Sequence, residues 1–119
     1  MTALNRRWKK VNDKILSLLG IARRAGKLSC GHDAAVQSIV QNKAKLCLCC
    51  DDSSERLKRE MKHSCEYRNK NIPFFETNYL IEELSKAIGT KAAVITIDDE
   101  GFSKKIGSLL SQVRLLGKE

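Results

Sequence analysis

No stretch of this chain approaches the roughly 20 consecutive apolar residues that a membrane-spanning helix requires, and a bilayer span is excluded on that ground. A secretory pattern is missing too. Met1 to Lys10 is basic, but an amphipathic pattern follows it where a signal would have an apolar core and a small-residue cleavage site, which points to the cytoplasm. The 119 residues contain five cysteines, an odd number, and Cys47, Cys49 and Cys50 crowd one apolar segment; this is no extracellular disulfide framework. Linkers and internal repeats are lacking, so one domain is expected, of a size that buries roughly two-thirds of its unfolded surface.

The chemical motifs that are absent narrow the function classes. No G-x-G-x-x-G turn follows a strand, which argues against a dinucleotide cofactor. Cys47, Cys49 and Cys50 lie in a strand whose side chains alternate faces, so they offer no zinc knuckle and no metal is expected. Cys30, His32 and Asp33 adjoin one another, but on a strand-to-helix turn such side chains diverge, and His63 lies in a basic helix away from Cys30. The reading is therefore non-enzymatic, with no catalytic residue and no cofactor. Asp51-Asp52 and Asp98-Asp99 sit at strand ends, where helix capping accounts for them without a bound cation.

What is present is positive charge, unevenly placed. The net charge is +8, and residues 1–27 carry eight Lys or Arg against Asp13 alone, a local +7. A polyanion is the partner this implies, with a solvated basic face as the plainer alternative. No strongly amphipathic basic helix with aromatic anchors is present, so a membrane surface is not the expected partner.

Hydrophobic periodicity alternates between helix and strand from end to end. Residues 1–11 lack a clean period and read as a basic N-terminal arm; residues 12–119 read as a single domain. Asn12 can cap a first helix with Ile15, Leu18, Leu19 and Ala22 buried, stopped by Gly26. Lys27 to Cys30 is a short strand, and Gly31-His32-Asp33 opens a second helix with Ala35, Val36, Ile39 and Val40 inward. Leu46 to Cys50 reads as a strand covered on both faces. Asp51 to Ser54 turns into a third helix, with Leu57, Met61 and Cys65 on one side and Arg56, Lys58, Arg59 and Lys62 around the rest. Pro73-Phe74-Phe75 suits an edge strand, and Asn78 can cap a fourth helix with Leu80, Leu84, Ala87 and Ile88 inward. Ala92 to Ile97 is a further buried strand, followed by a helix with Phe102, Ile106, Leu109, Leu110 and Val113 in period. The order predicts a three-layer α/β/α sandwich around a small, mostly parallel or mixed sheet.

The Gly31 junction presents backbone N–H groups and the positive end of a helix dipole. Lys27, Ser29, His32, Asp33 and Gln37 surround it in sequence, with Arg23 and Arg24 at the end of the preceding helix. Such a set fits RNA, in which cations neutralise crowded phosphates and short polar side chains reach base edges.

Lys14 to Leu28, Gly31-x-Asp33 at a helix start, Lys43-Ala44-Lys45-Leu46 before a strand, Asp51-Asp52-Ser53-Ser54 after it, Ile88-Gly89 and Asp98 to Ile106 follow one another in an order that resembles the kink-turn RNA-binding ribosomal protein family. The likeness is to the archaeal and eukaryotic large-subunit type, and in particular to the short stand-alone bacterial YlxQ-like members; it spans residues 13 to 111. The resemblance implies a four-stranded mixed sheet and an RNA partner, ribosomal in kind, with association to the ribosome or to a translation or transcription factor. It also implies that the helix after Gly31 enters the groove of a kinked stem with tandem sheared G·A pairs, while the loop of Ile88, Gly89, Thr90, Lys91 and Ala92 packs under a flipped-out nucleotide. The best-known members begin that helix Gly-x-Asn-Glu and carry a Lys further on. Here the matching positions hold Asp33, Ala34 and Gln37. An amide donor, an acceptor and a cation are gone, which lowers the expected affinity by about 1–3 kcal/mol for each lost contact. The alternative these departures leave open is a protein-interaction adaptor that keeps the fold without kink-turn specificity.

Overall fold

The computed structural model describes residues 3–117, with side chains described from 9 to 113. Nine regular elements alternate along the described residues: α1 (Ala3–Arg24), β1 (Leu28–Cys30), α2 (His32–Val40), β2 (Leu46–Cys49), α3 (Glu55–Glu66), β3 (Phe74–Glu76), α4 (Ile81–Ile88), β4 (Val94–Ile97) and α5 (Glu100–Gly117), with a single 3-10 turn at Tyr67–Asn69. The sheet order is β1-β4-β2-β3. β4 runs antiparallel to both β1 and β2, while β2 and β3 are parallel. The sheet is thus mixed, one of the two forms the alternation left open and the one the family resemblance implies.

Strand alternation splits the interior in two. Leu46 and Leu48 of β2 and Ile95 and Ile97 of β4 face a core built with Ile15, Leu19, Leu84, Ile88, Ile106 and Leu110 from α1, α4 and α5. Cys47, Cys49 and Val94 point the other way, onto Ala35 and Ile39 of α2 and Met61 and Cys65 of α3. The strand cysteines therefore fill space as small apolar groups, with the Cys47 thiol hydrogen-bonded to those of Cys49 and Cys65. On the first face the outer layer is closed by contact of α1 with α4, where a Cβ on Gly20 would come within 2.8 Å of the Ala87 carbonyl oxygen.

Several local expectations are overturned. The first helix begins at Ala3, not after Asn12, so the stretch expected as an arm is helical wherever it is described. Met1, Thr2 and the Trp8 side chain lie outside the described residues. Asn12 is buried within α1 and its Oδ1 accepts from the Tyr79 hydroxyl at 2.9 Å. A cap needs a free helix end, and at Asn12 there is none. Asn78 is no cap either: the Leu80 N–H donates to the Glu83 carboxylate at 2.9 Å and the Ile81 N–H to Asp52 at 2.8 Å, so two carboxylates satisfy the start of α4. Leu80 is consequently turned out, and Tyr79 fills the interior in its place. Lys58 is buried, its ammonium donating to the Asp51 carbonyl at 2.8 Å across the β2–α3 turn. Val40 is 64% exposed, and Ser38 takes the inward position on α2. Ser54 caps α3 through the Leu57 N–H, and Asp99 caps α5 through the Phe102 N–H.

Candidate nucleic-acid interface

The strand pairing decides which loops meet. Cys30 pairs with Ile95 and Cys49 with Val94, so the ends of β1 and β2 lie beside the start of β4. The β1–α2 junction and the α4–β4 loop therefore share one edge of the sandwich. The Gly31 N–H donates at 2.9 Å to the carbonyl of Val94, the first residue of β4, and so holds the junction beside the strand into which that loop runs.

Gly31 adopts φ 94°, ψ 165°. That region is open to glycine almost alone, and a Cβ there would touch nothing within 4 Å, so backbone conformation and not space demands the residue. Its carbonyl accepts from the Ala35 N–H at 2.9 Å and starts α2. No side chain caps this helix. The positive end of α2 thus faces solvent, with Asp33 in the first turn. Asp33, Ala34 and Gln37 form an exposed stripe along the helix. His32 stands between two carboxylates, 3.3 Å from Asp33 and 3.5 Å from Glu60. The hydrogen bond from Arg56 holds the Glu60 carboxyl below its ordinary range, burial opposes this, and His32 adds a smaller pull.

Across the edge, Gly89 closes α4 in the left-handed region at φ 80°, and its N–H donates to the Ser85 carbonyl at 2.9 Å. The Ser85 hydroxyl accepts from the Ala92 N–H at 3.1 Å and ties the loop back to its helix. Thr90 is half-buried and Lys91 exposed. Ile88 differs from both, since it is buried in the core and supports the loop from beneath.

The remaining predicted residues divide. Arg23 reaches the site: it hydrogen-bonds the Cys30 side chain and partly offsets the burial that pushes this thiol above its ordinary range. Arg24 lines the groove between α1 and α4 with Leu16, Ile21 and Ala87. Lys27 is exposed at the opposite end of β1, where Leu28 pairs with Ile97. Ser29 is committed inward, its hydroxyl donating to Asp98 at 2.5 Å.

That last bond belongs to a cluster the sequence reading missed. Asp98 also accepts from Ser38 at 2.6 Å and Thr96 at 2.9 Å, and its own N–H donates to the Lys27 carbonyl at 2.8 Å. One carboxylate thereby fixes β1, α2 and β4 to one another and sets the pitch at which α2 leaves Gly31. The signal lay in a hydroxyl within a strand read as wholly apolar, Thr96, whereas Ser38 was not expected to face inward at all. Among the described residues no group of His, Cys, Asp and Glu could hold a metal ion.

A small α/β/α module of the ribosomal-protein type is what this fold and this edge define. The chain belongs to the ribosomal protein L7Ae/L30e/S12e/Gadd45 family, whose model matches residues 13–107. It is 35% identical over 97 residues to the RNA-binding protein YlxQ of Enterococcus faecium, covering 82% of this chain and 91% of that protein. With the RNA-binding protein YlxQ of Bacillus subtilis (strain 168) it shares 33% identity over 94 residues, covering 78% and 91%. Among solved structures, a protein of unknown function from Bacillus halodurans superposes with a TM-score of 0.76 at 30% identity, over 82% of this chain and 97% of that one. The Giardia lamblia 15.5kD RNA binding protein superposes with a TM-score of 0.69 over 90% of each chain; at 16% identity this likeness bears on the fold alone.

Proposed function

We propose that this protein binds RNA without transforming it, and that it docks a bent stem, ribosomal in origin, on the edge where Gly31 to Gln37 meets the Gly89 to Lys91 loop. The observation that carries the reading is the Gly31–Val94 hydrogen bond, which holds an uncapped helix start and a glycine-closed loop side by side. A bent RNA offers both a groove for the helix and an unstacked nucleotide for the loop. Arg23 and Lys91 supply phosphate contacts at this edge, while Arg24 and Lys27 act from its flanks with little sequence preference. Family membership and two relatives described as RNA-binding proteins support the same partner. Residues 12–119 act in this reading as one unit, together with the part of α1 that precedes them. Among the described residues no helix is long and apolar enough to cross a membrane, and the proposed place of action is the cytoplasm.

The test is a titration of a kinked stem and of the same stem with its G·A pairs made Watson–Crick, each at two salt concentrations. The expected result is tighter binding of the kinked stem at both salts, with affinity for both falling as salt rises. Equal affinity for the two stems would overturn the docking of a bent RNA and favour the adaptor alternative.

A further inference from the structure

At the far end of α2 from Gly31, a cleft between α2 and α3 has no part in the edge described above. It encloses about 230 Å³ and is lined by Ile39, Val40, His63, Ser64, Tyr67 and Lys70. Lys70 is shared with an adjoining hollow of about 270 Å³ that also takes in Asn42, Lys45 and Asn71. Tyr67 is 51% exposed, with the Arg68 guanidinium carbon 5.3 Å from its ring centroid and the His63 ring 5.6 Å away at 41°.

Three features of this region bear on its ligand. No carboxylate is among the described residues that line either hollow. Glu60 is occupied by Arg56, and Glu66 lines a separate groove with Lys62 and Phe74. An exposed aromatic ring carrying a guanidinium offers a planar stacking surface next to cations, the combination that holds unpaired bases and their phosphates. The backbone is also held in costly conformations here. Among the described residues, every non-glycine residue with positive φ falls on this surface: Asn42 at 63°, Arg68 at 56°, Asn69 at 61° and Asn71 at 52°. The Lys70 ammonium donates to Asn42 Oδ1 at 2.6 Å, pinning the α2–β2 turn to the segment after α3.

We propose that the Tyr67 cleft is a second RNA site, which stacks single-stranded nucleotides leaving the stem that docks at Gly31; it rests on the RNA-binding reading above. The nine residues of α2 span about 14 Å, and the exposed stripe of Asp33, Ala34, Gln37 and Gln41 connects the two sites along the helix. Tyr67 and Arg68 provide the stacking surface, and Lys45 and Lys70 neutralise the backbone.

The experiment compares the full chain with its Tyr67→Ala, Tyr67→Phe and Lys70→Ala variants on three RNAs: the kinked stem alone, the same stem with a single-stranded uridine extension, and a free oligouridine. The extension is expected to tighten binding about tenfold, a gain lost in Tyr67→Ala, kept in Tyr67→Phe and reduced in Lys70→Ala, with bare-stem affinity unchanged throughout. No gain from the extension, or a gain that survives Tyr67→Ala, would overturn the proposal. If the bare stem fails to bind, stem docking fails by itself, and the oligouridine decides the cleft: binding lost in Tyr67→Ala upholds it, while no binding, or binding indifferent to Tyr67, refutes it. Half of Tyr67 faces solvent, and matching unfolding curves for the variants separate a lost contact from a lost fold.

Discussion

Asp98 shows how one side chain can organise a site it never lines. Its carboxylate accepts three hydroxyl bonds, from Ser29, Ser38 and the fully buried Thr96. Hydrogen bonds to a charged acceptor are stronger than neutral ones, and removing the acceptor strands three donors. Asp98→Ala is expected to destabilise the protein by about 2–5 kcal/mol, read from urea unfolding, whereas Ser29→Ala, which removes one donor, costs about 1–2 kcal/mol. At this scale the sequence was partly legible. Gly31 stands out because a strand running straight into a helix needs an unusual turn, and its positive φ bears that out. Asp98 does not, since an acidic pair before a helix looks like a cap; Asp99 plays that part, and its neighbour is free to turn inward. Ser29 was read as facing a ligand because nothing local reveals a partner 69 positions away.

The helix α2 carries the balance between inherited geometry and altered chemistry. Its start is uncapped and well placed, yet Asp33, Ala34 and Gln37 offer a carboxylate, a methyl and an amide on the exposed stripe. The double change Asp33→Asn with Gln37→Lys removes a negative charge and adds a positive one. It is expected to raise affinity for a kinked stem by about 1–3 kcal/mol, roughly 5- to 150-fold, while stability moves by no more than about 0.5 kcal/mol because both side chains are exposed. Titration of both proteins with the same stem reads this directly, and unchanged affinity would show that the stripe does not face the RNA. Elements with a strong period were legible from the sequence, as β2 and β4 demonstrate by their complete burial. Helix starts were less so. Asn12 and Asn78 have the right side chain for a cap, but Tyr79 claims the first, and Asp52 and Glu83 leave the second without a role.

Over the whole molecule, two separate cores sandwich one sheet, and the pairing of β4 with both β1 and β2 joins the distant segments into one edge. Alternation of helix and strand makes the layers predictable from sequence; the strand order is not, because periodicity says nothing about which strands pair. Burial leaves an alkaline signature on the global stability. It pushes the Cys50 thiol up from 9.0 to about 12, and raises Cys30 and the Tyr79 hydroxyl as well. All three bind their protons more tightly folded than unfolded. The Cys50 contribution to stability is therefore complete below about pH 9 and is lost as the pH rises toward 12, by up to about 1.4 kcal/mol per pH unit, with Cys30 and Tyr79 acting in the same direction. Urea midpoints measured across this window under reducing conditions should fall steadily, and Cys50→Ala should soften the fall. The central claim, that RNA meets the edge joined by the Gly31–Val94 bond, is tested most directly by backbone amide shifts during titration with a bare kinked stem. The largest changes are expected at Gly31 to Gln37 and at Gly89 to Ala92, with the outer face of α5 unmoved; changes centred on α5, or spread evenly over the basic surface, would place the RNA elsewhere.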